Sequence, residues 1–331
     1  MTATRAEVFQ ASAVPTTMEA AAIDRFGPPS VLTLHNLPVP KVGPSEVLIA
    51  VHAAGVGVWD AKIRDGTWAT GDERFPLVLG TDGAGIVVAR GARVRRFQID
   101  DRVWAYEYGN PKGGFYAQYV AVRAEHVGRA PEHLELLEAG AAAATGLTAL
   151  QGVNRLRLGE GATVLIFGGT GAVGTLAIQF ASNRLGRVLA TASGQDAAAL
   201  VLGLGAEAAI DPRHEDPVER LRLLAPNGLD AVLALAGGEA LERCLALVRT
   251  GGRVVYPNGV EPEPQSRKGV RVVAYDAVAD PRKFAELERA ADEVRLRVPI
   301  AAVYPLSEAA KAHARIEGGH VLGRIVLRID H

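Results

Sequence analysis

Apolar and polar positions change their rhythm once along this chain. From Met18 to about Gly128 the apolar residues come in short runs: "EVLIAVHAAGV" (Glu46–Val56), "GAGIVVARG" (Gly83–Gly91), "DRVWAYEY" (Asp101–Tyr108) and "FYAQYVAV" (Phe115–Val122). Gly, Pro and Asp separate them, a pattern that predicts strands joined by irregular loops in a barrel-like unit. Near Pro131 the pattern switches. "HLELLEAGAAAATGLTALQGV" is rich in Ala and Leu and predicts a helix. Beyond it, apolar runs predict strands at Thr163–Phe167, Arg187–Thr191, Ala208–Ile210, Ala231–Leu235 and Arg253–Tyr256. Helical spacing falls between them, at Ala172–Asn183, Ala197–Leu204, Pro217–Leu224 and Glu239–Arg249. Such alternation predicts βαβ units and a parallel sheet, which Gly269–Tyr275 extends. The tail reads as a helix at Pro281–Val294, another near Leu306–Glu317 and a strand at Arg324–Ile329.

A chain of 331 residues has room for about two domains. The expected division is a flexible extension over 1–17, a β-rich domain over 18–138 completed by 275–331, and an α/β domain over 139–274. Residues 1–17 lack the continuous apolar core of a secretory signal. Hydrophobic residues make up 48% of the chain and charged residues 22%, which suits a large packed core. The net charge of −1 provides no global field to recruit nucleic acid or an anionic membrane. No run reaches the roughly eighteen apolar residues of a membrane span. The one cysteine, Cys244, excludes an intrachain disulfide and fits a reducing, cytoplasmic setting.

The chemistry concentrates at "TVLIFGGTGAVG", Thr163–Gly174. Gly169-Thr170-Gly171-Ala172-Val173-Gly174 is a G-x-G-x-x-G motif with Gly168 ahead of it, set after an apolar run and before a helix. Glycines permit the turn and let backbone N–H groups approach a pyrophosphate, and the helix N-terminus adds donors and partial positive charge. In a dinucleotide fold an acidic residue about 20 positions on holds the 2′-hydroxyl of NAD. Here the second strand ends in "ATASGQD", with Ser193 and Gly194 and no carboxylate at the strand end. NADPH is therefore the expected cofactor. NADH stays possible through Asp196, which reads more simply as a helix cap.

With these residues in view, the chain resembles the medium-chain dehydrogenase/reductase superfamily, and within it the zinc-independent quinone oxidoreductase (zeta-crystallin-like) branch. The resemblance rests on "FGPPSVL" (Phe26–Leu32), "GVGVWDAKIRDGTW" (Gly55–Trp68), "LGTDGAGIV" (Leu79–Val87), "FQIDDRVW" (Phe97–Trp104), "TGLTAL" (Thr145–Leu150), "GGTGAVG" and "GRIVL" (Gly323–Leu327). It implies an α/β chain: a GroES-like β-rich catalytic domain plus a Rossmann domain with a doubly wound parallel sheet. It also implies hydride transfer from NADPH, often in a homodimer.

Zinc-dependent relatives carry a Cys where this chain has Gly57 and a His-Glu pair where it has Thr81-Asp82. Without thiolate or imidazole there, no zinc site is expected, and the eight histidines show no ligand spacing. Lacking a Lewis acid, the reductase is expected to act on an activated acceptor, a quinone or an α,β-unsaturated carbonyl. The resemblance marks Asp60, Arg64, Tyr106, Tyr108 and Trp68 as candidate catalytic residues. Each has a plainer alternative: a turn carboxylate for Asp60, a solvated helix-face arginine for Arg64, packing for the aromatics. Trp59 is either an aromatic wall with Trp68 or core. Thr148, Ala236, Gly237, Asn258 and Arg324 join the glycine loop, Ser193 and Gly194 as candidate cofactor contacts, Arg324 for a phosphate. An enoyl-thioester reductase and a non-catalytic NADPH-binding sensor are the competing functions.

Overall fold

The computed structural model describes residues 8–10 and 14–331 apart from Thr70 and Leu158, with no side-chain description for Val8–Gln10 or Leu185. By contacts the chain sorts into two units: 1–144 with 279–289 and 300–331, and 145–278 with 290–299. The tail expected to complete the first unit from 275 onward thus gives residues 275–278 and 290–299 to the second.

In chain order the first unit begins with β1 (Val8–Gln10), β2 (Thr17–Ile23), β3 (Thr33–Pro38), β4 (Glu46–Val56), α1 (Val58–Asp65), β5 (Leu77–Val78), β6 (Asp82–Gly91), β7 (Arg102–Tyr106), β8 (Tyr119–Arg123) and β9 (Val127–Arg129). Helix α2 (Leu136–Leu156) starts in this unit and ends in the other. The second unit holds β10 (Thr163–Phe167), α3 (Ala172–Leu185), β11 (Arg187–Thr191), α4 (Gln195–Gly203), β12 (Ala208–Ile210), α5 (Pro217–Leu224), β13 (Leu229–Ala234), α6 (Glu239–Leu245), β14 (Val248–Pro257) and β15 (Arg271–Tyr275). The chain closes with α7 (Pro281–Glu293), β16 (Ile300–Pro305), α8 (Ala309–Glu317) and β17 (Arg324–Arg328).

In the first unit an eight-stranded sheet follows the order β16-β17-β4-β6-β7-β9, with β1 on β6 and β8 on β4, and a small β3-β2-β5 sheet accompanies it. Strand β4 is buried over nearly its whole length because partners flank it on both sides. Gly140 of α2 packs closely on β4: a Cβ there would lie 2.6 Å from the Ala53 side chain. Two expectations change here, and the N-terminal extension contains one short strand. Within the extension expected to be flexible, Val8–Gln10 pair antiparallel with Ala89–Gly91; residues 1–7 and 11–13 lie outside the described residues. Ile300–Pro305 is a strand the pattern did not predict, since Pro299 and Pro305 bracket a short run with weak alternation. A 3₁₀ turn at Leu306–Glu308 precedes α8, which starts later than predicted.

The second unit is a six-stranded parallel sheet in the order β12-β11-β10-β13-β14-β15. This is the doubly wound topology, whose order reverses beside the first strand. All five residues of β10 are buried, as a strand covered on both faces requires. Helix α6 ends at Leu245, short of the predicted Arg249, because β14 begins at Val248 and pairs there with Leu229 of β13.

Candidate active site: a glycine cradle and a buried polar cluster

In the second unit the glycine loop closes β10 onto α3. Gly168 adopts φ +89°, a left-handed value that favours glycine. Its N–H donates to Thr191 Oγ1 at 2.7 Å, tying the loop to the end of β11. A Cβ on Gly174 would overlap the Gly168 carbonyl and lie 2.8 Å from Gly169 C, so the first turn of α3 can approach the strand only without a side chain. Gly171 is the extended N-cap of α3, and the nearest atom to a Cβ there is Gly168 O at 3.8 Å. Thr170, Gly171, Ala172 and Val173 are half-buried, so the start of α3 stays accessible. A pyrophosphate fits this geometry: free N–H groups at the start of a fourteen-residue helix beside glycines.

The other candidate cofactor residues of this unit lie on the same edge, at the C-terminal ends of the parallel strands. Ser193 and Gly194 follow β11, Ala236 and Gly237 follow β13, and Asn258 follows β14. A Cβ on Gly237 would lie 2.7 Å from Glu261 C, so the segment at 261–262 presses against it. Asn258 Nδ2 donates to Asp276 at 2.8 Å. Thr148, on α2, accepts the Tyr275 hydroxyl at its carbonyl, 2.7 Å away.

One residue on this edge escaped the sequence reading. Asp211, just past β12, accepts the Gly194 N–H at 2.9 Å, the Arg213 N–H at 3.0 Å and His214 Nδ1 at 2.9 Å. These bonds, with one from the Ser193 side chain, hold its carboxyl far below the usual range. The neighbouring strand β12 thus leads a carboxylate to the loop that follows β11. Asp196 does not cap α4; Gly194 occupies the N-cap, and Asp196 sits exposed in the first turn.

In the first unit Asp60, Asp82 and Arg324 form a charged cluster of fully or almost fully buried side chains. Arg324 Nη2 donates to Asp82 Oδ1 at 2.7 Å, and Ala144 N donates to Asp82 Oδ2 at 3.2 Å. That pairing corrects the phosphate role expected for Arg324: its guanidinium is 2% exposed and already bound. Asp60, in the first turn of α1, turns back to accept the Gly57 N–H at 2.8 Å. Burial and the Asp82 charge push its carboxyl up to about 7, against the pull of Arg324 and of the Gly57 and Thr81 N–H groups. Its Oδ1 is buried with no hydrogen-bond partner.

Trp59 sits over this cluster. Its Nε1–H donates to Thr81 Oγ1 at 2.6 Å, and the Arg324 guanidinium lies 4.7 Å from its ring centre. The indole fills the space a side chain at Gly57 would need, with Cζ2 2.6 Å from the ideal Cβ position.

Arg64 departs from both of its expected roles, the acceptor-orienting residue and the solvated arginine. It is 2% exposed, and it donates to Gly27 O at 2.9 Å and to Glu317 at 2.6 Å. It also meets His313 Nδ1 at 3.2 Å. Arginine has no acceptor, so His313 Nδ1 must accept and Nε2–H must donate to the Tyr116 hydroxyl, 3.1 Å away. Burial, then the Arg64 charge, lowers His313 to about 3 and keeps it neutral. Trp68 and Tyr106 are half-buried. Tyr108 is 46% exposed, and burial with the Asp60 and Glu73 charges raises its hydroxyl pKa.

The positions that hold zinc in metal-dependent relatives do not fit a metal here. Gly57 has no donor and Trp59 covers it; the Thr81 hydroxyl accepts the indole N–H; both Asp82 oxygens are engaged. Among the described residues no group of three or more His, Cys, Asp or Glu converges on a metal-sized space. No helix among them is long and apolar enough to cross a membrane.

Comparison with known proteins matches both units to one family of oxidoreductases. The family model described as the alcohol dehydrogenase GroES-like domain matches residues 43–132, and the one described as zinc-binding dehydrogenase matches 204–327. The NADPH-dependent alkenal/one oxidoreductase of Arabidopsis thaliana chloroplasts is 31% identical over 327 residues, spanning 96% of this chain and 81% of that protein. The quinone oxidoreductase of Coxiella burnetii superposes with a TM-score of 0.85 at 32% identity, covering 95% of this chain and 100% of its own. A mycobacterial protein solved in complex with NADPH superposes at 0.82 with 26% identity, covering 94% and 99%.

Proposed function

Since the chain belongs to the medium-chain dehydrogenase/reductase superfamily as a quinone oxidoreductase-like oxidoreductase, we propose that it uses NADPH to reduce a quinone or an α,β-unsaturated carbonyl, without zinc. The observation that carries the reading is Trp59 lying over Gly57 in a chain whose dinucleotide cradle is complete. The names of its relatives, an alkenal/one reductase and a quinone reductase, support the acceptor class. Bound NADPH supplies a hydride. The glycine loop and the start of α3 hold its pyrophosphate, and Thr191 fixes the loop through Gly168 N–H. An electrophilic acceptor needs only hydrogen-bond donors for its developing oxyanion. Within the first unit the Tyr108 hydroxyl, half exposed and with its pKa raised, is a donor of the required kind. In this reading the protein is a cytoplasmic homodimer acting on a small molecule, with neither nucleic acid nor membrane as partner.

One observation favours NADH as a second donor. Asp211 brings a carboxylate to the ribose side of the cradle and occupies the Gly194 N–H that a 2′-phosphate would use. The test follows oxidation of NADPH and NADH side by side, with an ortho-quinone and a simple enone, in the presence of a chelator. Turnover with NADPH that survives chelation is expected. Turnover lost on chelation overturns the zinc-free reading. Turnover confined to a CoA thioester favours the enoyl-thioester reductase. Cofactor binding without turnover favours a sensor.

A further inference from the structure

At the opposite end of the parallel sheet from the glycine loop, the second unit carries a concavity of about 360 Å3. It opens where β10, β13 and β14 begin, one strand length or about 15 Å from the cofactor edge. Three arginines line it: Arg157, Arg249 and Arg253. A fourth, Arg271, stands beside Arg253, because the two are register partners on parallel strands β14 and β15.

The charges here do not balance. Arg249 is paired with Asp230, which also accepts the Thr163 N–H at 2.8 Å. That leaves Glu160 as the other carboxylate of the lining. Arg157, Arg253 and Arg271 have no ion pair with any described residue, although Arg253 feels both of the others: their charges, after burial, lower its pKa. Three like charges against the single remaining carboxylate, Glu160, raise the energy of the free protein, and an anion relieves that cost. The rim is built from glycines with positive φ, Gly161 at +77° and Gly251 at +86°, so no side chain at either position obstructs the opening.

The geometry points to a second anion site, separate from the cofactor cradle, that takes a small phosphate-bearing molecule. The guanidinium fork matches tetrahedral oxyanions through paired N–H donors, and a volume near 360 Å3 lies within the range of small-molecule pockets. The whole-chain charge of −1 makes this local excess a property of the site and not of the composition.

Isothermal titration with inorganic pyrophosphate, on the full chain saturated with NADPH, tests the site. We expect binding that persists under NADPH and weakens at least tenfold in Arg157→Gln/Arg253→Gln, whose KM for NADPH stays at the parent value and certifies its fold. If that pair fails to fold, the exposed Arg271→Gln alone weakens binding several-fold. No binding to the parent, binding abolished by NADPH, or binding indifferent to these substitutions overturns the proposal. Equal affinity for a glutamate decapeptide overturns the phosphate assignment.

Discussion

Trp59 and Gly57 are complementary: the indole stands where any side chain at 57 would have to go, and glycine is what admits it. The arrangement is held at distance in sequence, by Thr81 through the indole N–H and by Arg324 stacked at 4.7 Å. Gly55 extends the same logic, since a Cβ there would lie 2.8 Å from Arg324 Nε.

It follows that restoring metal ligands in sequence does not restore a metal site. Gly57→Cys/Thr81→His is expected to lose about 1–3 kcal/mol of stability from overpacking and to bind zinc no better than the parent. Adding Trp59→Ala frees the space and brings zinc binding. Elemental analysis with a chelation-competition titration reads this, and stoichiometric zinc in the double variant contradicts it.

Asp60 and His313 give the stability opposing dependences on pH, which overlap between about 3.8 and 6.5 and largely cancel there. Asp60 binds its proton more tightly folded than unfolded, so it lowers stability as pH rises from about 3.8 to about 7. His313 behaves oppositely: it stays neutral in the fold, so stability falls as pH drops from 6.5 towards about 3. Asp60→Asn is expected to unmask the His313 dependence, so that stability climbs more steeply from pH 4 to about 6.5 than in the parent. Urea midpoints from pH 4 to pH 8 measure it, and parallel curves for parent and variant refute the assignment.

Gly174→Ala pushes a methyl into the Gly168 carbonyl. The loop must then open, and KM for NADPH is expected to rise on the order of tenfold, equivalent to roughly 1.4 kcal/mol. Fluorescence titration with NADPH checks the affinity directly; an unchanged dissociation constant means that the cradle does not bind the pyrophosphate.

The cradle was legible because everything that makes it is local: an apolar strand, a glycine cluster and a helix start within twelve residues, Thr163–Gly174. The order of the parallel sheet was legible in kind, from the alternation of strands and helices. The buried cluster was not. Arg64 reads as a surface arginine of a short helix until Glu317 and His313, some 250 residues on, close over it. Arg324 reads as a free cation until Asp82 is seen beside it. The absent carboxylate after β11 misled in the same way, since Asp211 arrives from the adjacent parallel strand, a relationship that register sets and sequence spacing does not.

Asp211→Asn removes the negative charge beside Gly194 while keeping an oxygen acceptor for its N–H. The ratio of kcat/KM for NADPH over NADH is expected to rise several-fold. Steady-state kinetics with both donors measure this, and an unchanged ratio removes Asp211 from cofactor selection.

Stereospecifically deuterated NADPH tests hydride transfer from the nicotinamide to an activated acceptor most directly. Each C4-deuterated epimer is oxidised in turn with an enone, and the product is analysed by mass spectrometry and NMR. One epimer should deliver deuterium to the β-carbon with a primary isotope effect, in the presence of chelator. Product free of deuterium from both epimers, or no product from any activated acceptor, would contradict the account.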